Sequence, residues 1–233
     1  MLLEVIATST RDALAAERGG ADRVEVCVAI ERDGLTPPSR LVAEIRAAVE
    51  IPVRAMLRPG DGFALGVGER ERPAEEAAEL VEAGADGFVL GFLDEEGEID
   101  LPTMEALVPA LGGRRWTFHR AIDHSRDPIA TYRALASLRE SGCDTVLTAG
   151  SPQTIEDGLP SLYALAAESA ADPAGPDLMA GGGLRPERVP DLAARGITAF
   201  HVGAGARESW STPVDPTRVA AWRTLIDAQS DRR

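Results

Sequence analysis

Two glutamates, two arginines and two of the three histidines of this chain fall where β-like alternation turns them toward a common side. In Leu2–Ala7, Glu4 and Ile6 alternate with Leu3 and Val5; in Arg23–Cys27, Glu25 and Cys27 alternate with Val24 and Val26. The same parity selects Arg54, Met56 and Arg58 in Pro52–Arg58, and Thr117 and His119 in Arg115–Ala121, with Trp116 and Phe118 opposite. It further selects Thr148 in Thr145–Ala149, Met179 and Gly181 in Asp177–Gly181, and His201 and Gly203 in Ala199–Gly203. Charges of both signs in one apolar interior must pair or bind something. Glu4, Glu25 and Arg54 lie deep enough to be a structural ion-pair layer, and Glu25 is expected to pair with Arg54. Arg58, His119, Thr148 and His201 end their strands, where a ligand has access. The chemistry they offer is acid–base: His119 beside a carboxylate as general acid or base, with Arg58 and Arg120 orienting an anion or stabilising an enolate. Asp123, four residues past His119, would orient Arg120 or the imidazole. His119, His201 and a glutamate could alternatively hold a divalent metal ion, although no short His-x-His or His-Glu-x-x-His spacing occurs. His124 is expected at the solvated surface.

The elements that position these residues follow from a recurring phrase. Gly-Gly-Ala-Asp at 19–22, Ala-Gly-Ala-Asp at 83–86 and Ser-Gly-Cys-Asp at 141–144 each follow a helix-like stretch and precede a short β-like run, and Ala-Arg-Gly-Ile-Thr at 194–198 is a looser copy. A helix ending on a glycine, a tight turn and a buried strand give this pattern. Filling the intervals predicts eight strands, with helices such as Arg11–Arg18, Ala74–Ala83, Pro128–Ser141 and Thr217–Ala228 between them. Strict alternation eight times over predicts a single α/β domain of the TIM-type (β/α)8 barrel class over residues 1–233. In such barrels the active site lies at the carboxyl ends of the strands.

Two further loops point to an anion. Ala180-Gly181-Gly182-Gly183 follows the seventh strand and Gly203-Ala204-Gly205-Ala206 the eighth, the loops that form the phosphate site of many barrels. Glycine lets several backbone N–H groups approach one oxyanion, and Arg185 and Arg207 are expected to add charge.

Composition narrows the partners. The 233 residues are 44% hydrophobic and 27% charged, enough for a full core, with 38 acids against 24 bases and a net charge of −14. That balance argues against nucleic acid or an anionic membrane as partner, and no apolar run or leader pattern is present, which predicts a cytoplasmic protein. All 24 bases are arginine, so Schiff-base and pyridoxal-phosphate chemistry through a lysine is excluded. Trp210, Trp222 and Phe200 near the C-terminus are compatible with a homodimer through outer helices.

Several phrases resemble one family. Leu-Glu-Val at 3–5, Gly-Gly-Ala-Asp-Arg-Val-Glu-Val-Cys at 19–27, Gly-Leu-Thr-Pro at 34–37, Met-Leu-Arg-Pro at 56–59 and Thr-Phe-His-Arg-Ala-Ile-Asp at 117–123 are similar to the CutC copper homeostasis family. Ile-Pro-Val at 51–53, Val-Leu-Thr-Ala-Gly at 146–150 and Ala-Gly-Gly-Gly at 180–183 add to the resemblance, which runs in order to about residue 205. It implies a cytoplasmic (β/α)8 barrel and copper as the metal. Of the two cysteines the family typically carries on strands one and two, this chain has Ile6 at the first position and Cys27 at the second. Three functions follow as expectations: copper binding through Cys27, an enzyme acting on a small anionic or phosphorylated metabolite with His/Glu acid–base chemistry, and a non-catalytic scaffold.

Overall fold

The computed structural model describes residues 1–66, 68 and 71–230. Eight parallel strands close on themselves in chain order: β1 (Leu2–Ala7), β2 (Arg23–Val26), β3 (Val53–Met56), β4 (Gly87–Leu90), β5 (Arg115–Phe118), β6 (Cys143–Thr148), β7 (Asp177–Ala180) and β8 (Ala199–Val202). The helices that follow them are α1 (Thr10–Arg18), α2 (Ser39–Arg46), α3 (Arg72–Glu82), α4 (Leu101–Leu107), α5 (Pro128–Ala136), α6 (Ile155–Ala171), α7 (Val189–Ala194) and α8 (Pro216–Ser230). The fold is a (β/α)8 barrel, as the alternation predicts. Several strands end one to three residues before their expected ends, because Arg58, His119 and Gly203 already belong to the rim.

The recurring phrase is the device that joins helix to strand. Gly20, Gly84, Gly142 and Gly196 all take positive φ, between 89° and 105°, the left-handed conformation that a helix C-terminus needs to turn back. In two copies the aspartate then fastens the turn to the preceding strand: Asp22 accepts the Leu3 N–H at 2.6 Å and Asp86 the Val53 N–H at 2.9 Å. Side-chain caps start the helices, with Ser9 accepting from Asp12 N–H and Asp127 from the N–H groups of Ile129 and Ala130.

The main apolar core lies between barrel and helices, where Phe88, Trp116, Phe118 and Phe200 are fully buried. Inside the barrel two small apolar clusters remain, Ile6–Cys27–Met56–Val89 and Leu147–Met179–Ala199. Between them runs a charged layer. β1 places Glu4 directly beside Arg23 of β2 and His201 of β8, and Glu4 bonds both. Arg54 stands beside Glu25 in register but does not pair with it. Its guanidinium reaches across the barrel to Asp144, with contacts of 2.8 and 2.6 Å, and to the Thr117 hydroxyl. A register shift between β5 and β6 makes this possible: Trp116 faces Cys143 and Thr117 faces Thr145, so Asp144 is the extra residue of a bulge.

Candidate active site at the strand carboxyl ends

A cavity of about 490 Å³ opens at the carboxyl ends of the strands. Of the residues singled out from the sequence, Glu25, Arg58, His119, Arg120, His201, Gly182, Gly183, Gly203 and Gly205 line it. Glu4 lies beneath, under His201.

Burial and charge set the floor. Burial alone would raise the Glu4 carboxyl, but Arg23 and the 2.7 Å bond to His201 Nδ1 hold it well below the usual carboxylate range. Glu25, 2% exposed, has no such partner: its Oε2 is buried and unbonded, and burial, reinforced by Glu4, pushes its pKa up to about 7 against the opposing pull of His201. His201 moves upward too, because Glu25 and Glu4 outweigh the burial that disfavours its charge. Both groups are thus shifted upward from their ordinary ranges, Glu25 by burial and His201 by the carboxylates beside it.

His119 is different. It is 4% exposed, and burial, helped by Arg58, drives its pKa down to about 3, so the ring is neutral. Its Nδ1 accepts the Ala121 N–H at 3.2 Å. That contact corrects the expectation of a histidine base: the nitrogen that would take a proton is already occupied.

The wall is cationic. Arg58 donates from Nε to Gly62 O and from Nη1 to Arg32 O and Gly34 O, and it lies over the Phe63 ring. Arg120 donates from Nε to Asp123 at 2.8 Å and from Nη2 to the carbonyls of Ser151, Pro152 and Gln153. Among the described residues, Arg58 Nη2 and Arg120 Nη1 have no protein acceptor. Arg120 packs on Gly182, where a Cβ would come within 3.1 Å of the guanidinium carbon and where φ is +73°. Gly182 is thus required by the arginine as well as by the turn. Gly183 is open above, and neither Gly182 nor Gly183 donates its N–H to another described residue.

Other expectations are corrected or refined. Thr148 does not face the barrel: Leu147 does, against Met179 and Ala199, and Thr148 donates its hydroxyl to Asp123 on the outer side. Asp123 holds Arg120, as expected, and accepts in addition from the N–H groups of Ala149 and Gly150, so it also fastens β6 to the segment after β5. Arg207 turns away to Asp12 and Ile6 O and stacks on Trp210, while Arg185 is exposed and outside the cavity wall. Gly181 packs against Leu147 and His201 beneath the wall, and Gly203 and Gly205 lie against Trp210 and Trp222. Phe200 and Trp222 are buried in the core, whereas Trp210 is 42% exposed. His124 is exposed as expected, yet lines the cavity mouth against Phe63.

The sequence reading missed Phe63, Trp210 and Arg23. The last was within reach, since the parity that turns Glu25 inward also turns Arg23. Phe63 and Trp210 sit on loops, where no period marks a side chain's direction.

Metal ligands of two kinds are available. Glu4, Glu25 and His201 each offer an atom within 4.8 Å of the others, but Glu4 is committed to Arg23 and His201. Cys27 is fully buried between Ile6, Met56 and Val89, and burial and the neighbouring Glu25 push its thiol well above the ordinary range. No described helix is long and apolar enough to cross a membrane.

Comparison with known proteins gives consistent matches. The model of the CutC family matches residues 1–206. A family protein CutC from Enterobacter sp. (strain 638) is 34% identical over 231 residues, spanning 99% of this chain and 90% of that protein. One from Xanthomonas campestris pv. campestris (strain 8004) is 38% identical over 209 residues, 89% of this chain and 81% of the relative. Among solved structures, the putative copper homeostasis protein CutC from Streptococcus agalactiae superposes with a TM-score of 0.77 at 27% identity, covering 87% of this chain and 98% of that one.

Proposed function

This chain belongs to the CutC family, and we propose that its barrel mouth binds a small anionic molecule and moves a proton on it through Glu25 and His201. The observation that carries this reading is the pair of cavity-lining arginines, Arg58 and Arg120, each fixed by backbone carbonyls and each with one terminal nitrogen that has no acceptor among the described residues. Held this way, they are preorganised donors for a carboxylate or phosphate. Gly182 and Gly183 add backbone donors on the Arg120 side. Below them, Glu25 changes protonation near neutral pH and can take a proton from the bound molecule or return one.

Copper, which appears in the name of the streptococcal relative, fits the donors of this chain poorly. Cu(I) selects thiolate and thioether ligands. Here one thiol, held protonated by burial, shares an apolar cluster with the single thioether of Met56, and Ile6 fills the remaining side.

Phosphate is the simplest probe. At about tenfold excess over its Kd, a ligand of the folded state should raise Tm by roughly 3–5 °C for a chain of this size, relative to chloride at equal ionic strength. Arg58→Gln with Arg120→Gln should abolish that difference. A Tm that responds equally to phosphate and chloride in the wild type would refute the reading.

A further inference from the structure

We infer that His119 is a fixed hydrogen-bond donor, delivering its Nε2–H to a carbonyl or carboxylate oxygen of the bound anion, so that the ligand is an anion carrying such an oxygen beside its charged group. This rests on the anion reading above and adds the second recognition element.

Three contacts orient the ring. The Ala121 N–H points at Nδ1, so Nδ1 carries the lone pair and Nε2 carries the hydrogen. The edge formed by Nδ1 and Cε1 is turned to Gly91, where a Cβ would lie 2.7 and 3.0 Å from those atoms. His119 lines the cavity, and Phe63 meets the ring edge-on at 5.3 Å, restricting its rotation. Nε2 is nonetheless buried with no acceptor among the described residues. A buried N–H without a partner is costly unless a ligand oxygen completes it.

The neighbours agree with this role. Arg58 and Arg120 flank His119 and both disfavour an imidazolium, so the ring stays a neutral donor while they hold the anionic group. A neutral imidazole offers a fixed N–H without giving up its proton, which suits stabilising a developing enolate oxygen. Glu25 on β2 and His119, just after β5, line the same cavity from different sides, so a ligand spanning it can meet base and donor together.

Two probes separate this inference from the reading beneath it. Inorganic phosphate engages only the arginine side; 2-phosphoglycolate adds a carboxylate that mimics an enediolate. The wild type should bind 2-phosphoglycolate about tenfold more tightly than phosphate by calorimetry, the size of one well-made hydrogen bond. His119→Ala should lose that preference while keeping phosphate affinity. His119→Gln, whose amide nitrogen can occupy the Nε2 position, should retain most of it. Equal wild-type affinity for both probes, or a preference untouched in His119→Ala, overturns the assignment and leaves the anion reading standing. No binding of either probe overturns the anion reading and this inference together. Imidazole nitrogen NMR of the wild type is an independent check that needs no variant: His119 should show the Nε2–H tautomer and its proton should shift with 2-phosphoglycolate but not with phosphate. An Nδ1–H tautomer overturns the inference.

Discussion

Glu4 and Glu25 sit on neighbouring strands with opposite fates, decided by which cations each can reach. Glu4 is bracketed in register by Arg23 and His201 and stays ionised. Glu25 loses Arg54 to Asp144 and is left with an unbonded oxygen. The consequence is a pH dependence of stability with a definite sign. Between about pH 4.5 and about 7 the unfolded chain has released the Glu25 proton while the folded protein keeps it. The folded state therefore binds more protons, and stability falls as pH rises through that window. The groups facing Glu25 are Glu4, His201 and Arg23, and only His201 titrates nearby; its own upward shift, due first to Glu25 against burial, gives the same sign at higher pH. Glu25→Gln removes the first component and weakens the second. The variant should gain stability relative to wild type progressively from pH 4.5 to 7, by on the order of 2 kcal/mol, and keep the gain above. Urea midpoints at four pH values measure it; a difference that stays flat across the window would contradict the assignment.

At the level of elements, the bulge in β6 does most to shape the interior. Asp144 is the third copy of the recurring phrase, and by analogy with Asp22 and Asp86 it should fasten its turn to the preceding strand. The extra residue swings it toward the barrel instead, where it becomes the counter-ion of Arg54. Asp144→Ala should leave a guanidinium that is 8% exposed without its acid, costing about 3 kcal/mol, toward the low end for a buried pair because Asp144 itself retains some solvent contact. Asp144→Asn should cost less, since one acceptor remains. Denaturant unfolding of both variants checks this, and a change within about 0.5 kcal/mol would mean that Arg54 finds another partner. The same bulge marks where the sequence stopped being legible. Strand number, order and the inward parity of β1, β2, β3, β5, β7 and β8 follow from alternation and Gly-Ala-Asp turns. Alternation selects Thr148 in Thr145–Ala149, but the bulged Asp144 sets the β6 register so that Thr117 faces Thr145, and Leu147 enters the barrel instead. The Glu25–Arg54 pair failed for a similar reason: adjacency in register was visible, but competition from a bulged acid across the barrel was not.

On the scale of the whole molecule, a chain with net charge −14 places two arginines, Arg58 and Arg120, in the lining of one cavity. The acidic exterior repels anions at long range, so any anion that binds must do so through local donors at close contact, which salt screens little. Family membership was legible from phrases spread over residues 3 to about 205, and the fold agrees with it. The lining of the mouth was only half legible, because Arg58 and His119 announce themselves at strand ends while Phe63, Trp210 and the carbonyl cradle of the arginines depend on loop paths. The most direct measurement is a crystal structure determined with selenate, whose anomalous signal locates the anion unambiguously. An anion bonded to Arg58 Nη2 or Arg120 Nη1, with the N–H groups of Gly182 or Gly183 among its donors, is the predicted result. Selenate bound elsewhere on the protein while those arginines face only water would contradict it.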